Sequence, residues 1–115
     1  MPLIKLQLSQ APDRSKAGPL LQAVSRMLAA ETGKPEQYVM ATIEQADALF
    51  AGSAGPAACA DVRGIGGFNP KVNGGVTRAL CSLLKEHAGI PPERVYVTFT
   101  DVPAGNWGWN NRTFA

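Results

Sequence analysis

The sequence predicts an α/β (α+β) fold in which two pseudo-symmetric β-α-β units form one four-stranded mixed sheet, with two helices on one face. Two observations carry this prediction. Stretches with strand and helix character follow in the order strand, helix, strand, and this order occurs twice along the 115 residues. Both predicted helices end at a glycine, Gly33 or Gly89, that is followed by proline two residues later. The length fits one domain, so we predict a single domain over residues 1–115.

The first unit begins with a strand over Leu3 to Leu8, where apolar and polar residues alternate. A turn over 11–13 follows, and Asp13 or Ser15 can cap the first helix. Pro19 is expected in the first turn of that helix, where the missing N–H has no consequence. The apolar positions at helical spacing are Leu20, Leu21, Val24, Met27 and Leu28. 

The first helix is expected to stop at Gly33 because a C-terminal glycine followed by proline cannot continue a helix. Tyr38 to Ile43 then forms the second predicted strand, on the basis of its β-branched and aromatic residues.

The second unit repeats this order. Cys59 to Ile65 alternates as a strand, a turn covers 66–70, and a second helix ends at Gly89. Arg94 to Thr100 is the stretch richest in β-forming residues and is the fourth predicted strand. The apolar positions of the second helix are Val76, Ala79, Leu80, Leu83, Leu84 and Ala88.

This repetition favours an internal duplication, although the similarity of two common helix ends by chance remains the alternative. Two such units imply right-handed parallel crossovers with both helices on one sheet face. We expect apolar residues on both faces of the sheet, so the uncovered face must be buried by other copies of the protein. The sequence therefore predicts an oligomer.

Composition excludes several classes of protein. Apolar residues make up 45% and charged residues 17%, which is globular rather than disordered. A net charge of +2 gives no indication of nucleic acid or a membrane surface as partner. No stretch is long and apolar enough to span a bilayer, and the start lacks a secretory signal. We therefore expect a cytoplasmic protein. Export by a route that needs no signal peptide is the alternative.

Conventional catalytic groups are scarce. His87 is expected at the solvated end of the second helix, and Cys81 among leucines is expected to be a buried small hydrophobe. Cys59 and Cys81 form no Cys-x-x-Cys and no zinc site with the single histidine. The glycine run over 64–67 lacks the spacing of a nucleotide-binding loop.

Pro2 is the exception. Removal of the initiator methionine, normal before a small residue, would make the Pro2 nitrogen a secondary amine. A free α-amino group titrates at about 7.7–8.0, and burial beside a cation lowers that pKa, which leaves a neutral base at pH 7. The alternative is that Pro2 merely starts a strand, where proline costs no ladder bond. If Met1 were retained, the nitrogen would be an amide without basicity.

Five segments resemble the macrophage migration inhibitory factor family of the tautomerase superfamily. Residues 106–115 read Asn-Trp-Gly-Trp-Asn-Asn-Arg-Thr-Phe-Ala and, with 92–97, resemble the carboxyl end of that family. Residues 32–38, with Thr-Gly-Lys-Pro, resemble its helix-to-strand junction, and 64–67 with 72–74 look most like its plant-type members. The resemblance implies a homotrimer whose three sheets enclose a channel, with sites at the subunit boundaries.

The resemblance also implies roles for individual residues. Pro2 matches the family's catalytic amino-terminal proline, and Lys34 matches the lysine that binds the substrate's carboxylate. Ile65 matches an isoleucine whose backbone N–H assists, and Tyr96 matches a tyrosine supplied by the neighbouring subunit.

The other site residues implied by the resemblance form the pocket walls. Thr98 stands where animal members often have asparagine, and Trp107 replaces a smaller apolar residue near the pocket mouth. Phe114 matches an aromatic residue of the pocket wall, and Leu3 is expected to pack against the substrate's aryl ring together with Ile65, Tyr96 and Trp107. 

One family feature is missing. Ala57 and Ala60 occupy the positions of the Cys-x-x-Cys of animal members, so a dithiol activity is not expected.

The resemblance thus implies a keto–enol tautomerase of phenylpyruvate-like α-keto acids or of a D-dopachrome type, without metal or organic cofactor. An alternative is a cytokine-like signalling protein with a vestigial pocket, for which the sequence offers no receptor determinant. A third is another superfamily reaction, hydration–dehalogenation or decarboxylation, which generally needs further arginines and acids. The arginines near the candidate strands are few, Arg63 and Arg112 among them.

Overall fold

A computed structural model describes residues 1–10 and 12–115 as one mixed sheet covered by two helices. Ala11, in the turn predicted over 11–13, lies outside the described residues. Three 3-10 turns, Glu36–Tyr38, Pro92–Arg94 and Ala104–Asn106, join the main elements. These elements are β1 (Leu3–Leu8), α1 (Arg14–Thr32), β2 (Met40–Gln45), β3 (Ala58–Gly64), α2 (Pro70–Ala88), β4 (Val95–Asp101), β5 (Gly108–Trp109) and β6 (Arg112–Thr113).

The sheet has the strand order β2-β1-β3-β4. β1 pairs in parallel with β2, and β3 pairs in parallel with β4, so each β-α-β unit forms one half of the sheet. The two halves join through the antiparallel pairing of β1 with β3, in which Ile4 lies opposite Val62. The predicted mixed sheet of two β-α-β units is confirmed.

Two predicted boundaries differ from the structure for the same reason. After Pro35 and after Pro91 the chain makes a 3-10 turn before it extends, so β2 begins at Met40 and β4 at Val95. The aromatic Tyr38 therefore lies in a turn at the end of the sheet, not inside a strand.

The helix ends follow the sequence signals closely. Gly33 and Gly89 both adopt the left-handed conformation, with φ of 72° and 66°, which glycine adopts without a Cβ penalty. Asn69 caps α2 by accepting a hydrogen bond from the Val72 N–H at 2.9 Å. The prediction for Pro19 was wrong, because it lies within α1 beyond the first turn; its ring is on an exposed part of the helix.

The core lies between the helices and one face of the sheet. Alternate residues of the central strand β1, Ile4, Leu6 and Leu8, point into it and are fully buried or nearly so. The helices contribute the buried side chains of Leu20, Val24, Leu28, Val76, Leu80 and Leu84.

The second face of the sheet is mostly polar, so the expectation of apolar residues on both faces holds for few residues. The register places Lys5, Asp61 and Thr98 in one row across β1, β3 and β4. β3 and β4 alternate, and their aliphatic residues point towards the helices, whereas Cys59 and Tyr96 are exposed on the second face. Counting layers therefore gives little argument for an oligomer.

Candidate active site

Pro2 lies buried directly before β1, which is one of the two inner strands of the sheet. Its carbonyl accepts the Met40 N–H at 3.1 Å, which holds the chain start against the start of β2. Burial lowers the pKa of the Met1 amino group, and the positive charge of Lys34 lowers it further. The Met1 amino group is therefore biased towards its neutral form.

Lys34 reaches this region because α1 ends directly before it, at Gly33. Its half-buried side chain leaves the first β-α-β unit and donates from Nζ to the carbonyl oxygen of Ile65, at 3.0 Å. An ammonium group has three donors, so this bond leaves two N–H groups for a ligand. The lysine and the isoleucine implied by the resemblance thus meet in the structure.

The loop over 64–67, which carries Ile65, follows β3 and is anchored to the end of β4. The Gly64 carbonyl accepts the Val102 N–H at 2.8 Å, and the Gly66 N–H donates to the Asp101 carboxylate at 2.8 Å. A Cβ on Gly67 would lie 3.1 Å from Lys34 Cε, and the φ of Gly67 is 87°. Glycine is therefore needed there for the conformation and for the passage of the lysine side chain.

An aromatic cavity of about 220 Å³ opens beside the chain start. The ring of Trp109 contacts Tyr38 edge-on and stacks on Phe114, in each case with centroids 5.9 Å apart. The lining residues are Met1, Gln37, Tyr38, Val39, Met40, Trp107, Trp109 and Phe114. Tyr38 and Trp109 were missed as site residues, although both belong to the segments that carry the family resemblance.

The C-terminal hairpin of β5 and β6 places these aromatic rings. Its turn uses Asn110 and Asn111 with φ of 54° and 67°, a backbone conformation that asparagine tolerates. The Phe114 N–H donates to the Trp107 carbonyl at 3.1 Å, which closes the tail on itself. Trp107 also lines a second cavity of about 190 Å³ together with Leu3, so this residue is shared by the two cavities.

Tyr96 and Thr98 do not reach this cavity within one subunit. Both project from β4 on the polar face of the sheet, where they line a depression with Lys5, Gln7 and Asp61. Tyr96 is 67% exposed and packs only one side of its ring, against Phe50 at a centroid distance of 4.9 Å. Their predicted roles therefore depend on a second copy of the chain.

Cys81 is half-buried, and burial raises the pKa of its thiol. A raised pKa disfavours the thiolate, so this cysteine is not an activated nucleophile. His87 is half-buried rather than fully solvated. Over residues 1–10 and 12–115, no group of three His, Cys, Asp or Glu side chains is arranged to hold a metal ion. In the same part of the chain, no helix has the length and apolar character needed to cross a membrane.

The fold and this site together define an α/β protein of the tautomerase superfamily. The profile of the family "Macrophage migration inhibitory factor (MIF)" matches residues 1–115. The chain therefore belongs to the macrophage migration inhibitory factor family, as its sequence motifs predicted. This membership supports a tautomerase or migration-inhibitory-factor-like function, and members of the family are typically oligomeric.

Similar proteins come from distant organisms. The macrophage migration inhibitory factor of Xenopus laevis is 34% identical over 116 residues, which cover 100% of both chains. The homolog of Brugia malayi is 35% identical and the match covers 90% of each chain. The crystal structure of a homologue from Prochlorococcus marinus has a TM-score of 0.92 at 38% identity, covering 98% of this chain and 99% of the other. That of Toxoplasma gondii has a TM-score of 0.94 at 30% identity, covering 96% and 98%.

Proposed function

We propose that this protein is a cofactor-free keto–enol tautomerase of phenylpyruvate-like α-keto acids, acting in the cytoplasm. Pro2 is its general acid and base once Met1 has been removed. The observation that carries the proposal is the position of Pro2, which is buried directly after Met1, whose amino group has a pKa lowered by burial and by Lys34. Proton transfer by a positioned group accelerates such reactions by about 10²–10⁴-fold.

The reaction needs one proton shuttle. The neutral Pro2 nitrogen removes a proton from C3 of the keto acid, and the electron pair of that C–H bond forms the C2=C3 double bond. The carbonyl oxygen then takes the proton back from the Pro2 ammonium, which regenerates the neutral amine. The reverse sequence converts the enol to the ketone.

Lys34 and Ile65 are proposed to bind the substrate's carboxylate. The ammonium of Lys34 keeps donors available beyond its bond to the Ile65 carbonyl. The Gly64 carbonyl points towards Val102, and the N–H of a trans peptide points opposite its carbonyl. The Ile65 N–H therefore points away from β4, towards the side of β3 on which β1 begins.

The aromatic cavity is proposed to hold the aryl ring. Its walls of Trp107, Trp109 and Phe114 present ring faces and edges to an aromatic side chain. The volume of about 220 Å³ lies below the range of drug-sized pockets, about 300–1,000 Å³, and suits a small acid. Met1, which directly precedes Pro2, lines this cavity, so the cavity lies beside the proposed base.

The proposal is tested first by mass and turnover. Intact-mass measurement of the purified protein is expected to give a species one methionine lighter than the full sequence. That species is expected to convert enolphenylpyruvate to phenylpyruvate, which is measured as the loss of enol absorbance. A processed protein that turns over neither this enol nor D-dopachrome would contradict the proposal.

A homotrimer is proposed to complete the site, with Tyr96 and Thr98 of one subunit facing the Pro2 of the next. Support comes from the family and from a cavity of about 430 Å³ beside Tyr96, next to Leu49, which is 71% exposed. We expect Pro2→Gly and Tyr96→Ala proteins to have little activity alone. Mixed trimers made by co-expression should recover activity, because some of their sites combine an intact Pro2 with an intact Tyr96.

The complementation experiment requires that sedimentation shows the protein to be a trimer. It also requires that native mass spectrometry detects trimers containing both variants. Mixed trimers that remain as inactive as the single variants would place both residues in one subunit's site and contradict the proposed arrangement. A monomeric protein would contradict it as well.

Substitution of Trp107 by valine is expected to change substrate preference. It shortens the side chain of a residue that lines both cavities, of about 220 and 190 Å³, which loosens the fit around a phenyl group. We expect kcat/KM for enolphenylpyruvate to fall about 2- to 12-fold, the equivalent of one aromatic contact, and to fall less for D-dopachrome. The kcat/KM of Trp107→Phe for enolphenylpyruvate should lie between those of the wild-type and Trp107→Val proteins. An unchanged ratio of the two kcat/KM values would show that Trp107 does not set preference.

A further inference from the structure

The peptide between Ile65 and Gly66 is held from both of its ends. Its carbonyl oxygen accepts a hydrogen bond from Lys34 Nζ at 3.0 Å, and its N–H donates to Asp101 Oδ1 at 2.8 Å. The carbonyl and the N–H of a trans peptide point in opposite directions. An ammonium and a carboxylate on opposite sides therefore fix the orientation of this peptide plane.

The preceding peptide is fixed by the same strand end. The Gly64 carbonyl accepts the Val102 N–H at 2.8 Å, so β4 and the residue after it hold two successive peptides of the loop over 64–67. Asp101 is the last residue of β4 and lies opposite Gly64 in the parallel register. The Asp101 side chain thus adds a hydrogen bond to the loop just beyond the last backbone pair between β3 and β4.

Without the hydrogen bond to Asp101, the two glycines of this loop could adopt other backbone conformations. Gly66 and Gly67 have φ of 68° and 87°, and glycine has access to many alternatives to these angles. Rotation of the Ile65–Gly66 peptide would take its carbonyl away from Lys34 Nζ, whereas the Ile65 N–H belongs to the preceding peptide, which Val102 holds. The Lys34 donor proposed to bind the substrate's carboxylate would then lose the hydrogen bond that positions it.

We infer that Asp101 is a positioning residue for carboxylate recognition. Its carboxylate holds the Gly66 N–H, and through that one peptide it positions the Lys34 ammonium. Asp101 itself does not contact the substrate. This inference rests on the proposed tautomerase function, because it requires Lys34 to bind the carboxylate of the substrate.

The test compares Asp101→Ala with Asp101→Asn. The alanine has no acceptor for the Gly66 N–H, whereas the amide oxygen of asparagine can still accept it. We expect Asp101→Ala to raise KM for enolphenylpyruvate about 3- to 10-fold, the equivalent of about one hydrogen bond, with kcat within about two-fold. Asp101→Asn should recover most of the wild-type KM.

A second substrate separates positioning from general loosening of the site. The methyl ester of the same enol has no carboxylate, so its KM should be similar in all three proteins. Glu86→Ala, which removes an exposed carboxylate on α2, serves as the control for loss of a surface charge. Thermal unfolding of each variant establishes that the compared proteins are folded.

Three results would overturn the inference while leaving the proposed function intact. These are an unchanged KM in Asp101→Ala, an equal loss in Asp101→Asn, or an equal loss for the acid and the ester, each with an active wild-type protein. A wild-type protein inactive towards both substrates would contradict the proposed function and, with it, the inference.

Discussion

Replacement of Pro2 by glycine is expected to lower kcat/KM for enolphenylpyruvate by about 10²–10⁴-fold, the usual contribution of a general acid–base group. Glycine keeps an amino terminus after Met1 is removed, but it loses the ring that fixes the nitrogen at the start of β1. Proline has no free rotation about its N–Cα bond, so the lone pair of its nitrogen keeps a fixed direction relative to the start of the chain. The measurement is steady-state turnover at several pH values.

A matched variant separates the amine from the ring. An N-terminal extension that leaves Pro2 inside the chain keeps the ring and converts its nitrogen to an amide, which has no basicity. This protein should be as inactive as Pro2→Gly, whereas proteolytic removal of the extension should restore activity. Undiminished turnover by Pro2→Gly, or by the extended protein, would rule out Pro2 as the proton shuttle.

The sheet and its helices could be predicted because local signals agree with the final packing. The alternation in β1 gave its buried face, and Gly33 and Gly89 gave the helix ends, since each signal depends on a few neighbouring residues. The polar second face was not predicted from the residues. In β3, Val62 and Asp61 are neighbours in sequence but point to opposite faces, and the apolar content of the stretch concealed this.

The site was harder to predict because its contacts are distant in sequence. The bond between Lys34 and the Ile65 carbonyl joins residues 31 positions apart and depends on where α1 and β3 end relative to each other. Family resemblance named both residues, but no spacing in the sequence shows that they touch. Tyr38 was read as a strand residue, and its place in the cavity follows from the 3-10 turn after Pro35.

Substitution of Lys34 by methionine should have the second largest effect, and it should act in two ways. A hydrogen bond to a charged group contributes about 1.5–3 kcal/mol, so loss of the carboxylate contact is expected to reduce kcat/KM by about 10- to 150-fold. Most of this loss should appear in KM, because the carboxylate is bound in the ground state as well as in the transition state. Lys85→Met, on the exposed surface of α2, is the matched control.

The second effect of Lys34→Met concerns pH. The catalytic amine is active as the neutral base, so kcat/KM rises with pH through the pKa of that amine. Lys34 lowers the pKa of an amino group at the chain start, although burial lowers it more. Loss of the lysine's charge should therefore raise the pKa and move the acidic limb of the profile to higher pH, while burial keeps part of the original shift. Lys34→Arg retains the charge, so its acidic limb should stay near that of the wild-type protein even if its KM rises. An acidic limb that stays in place in Lys34→Met would mean that Lys34 binds the carboxylate without tuning the base.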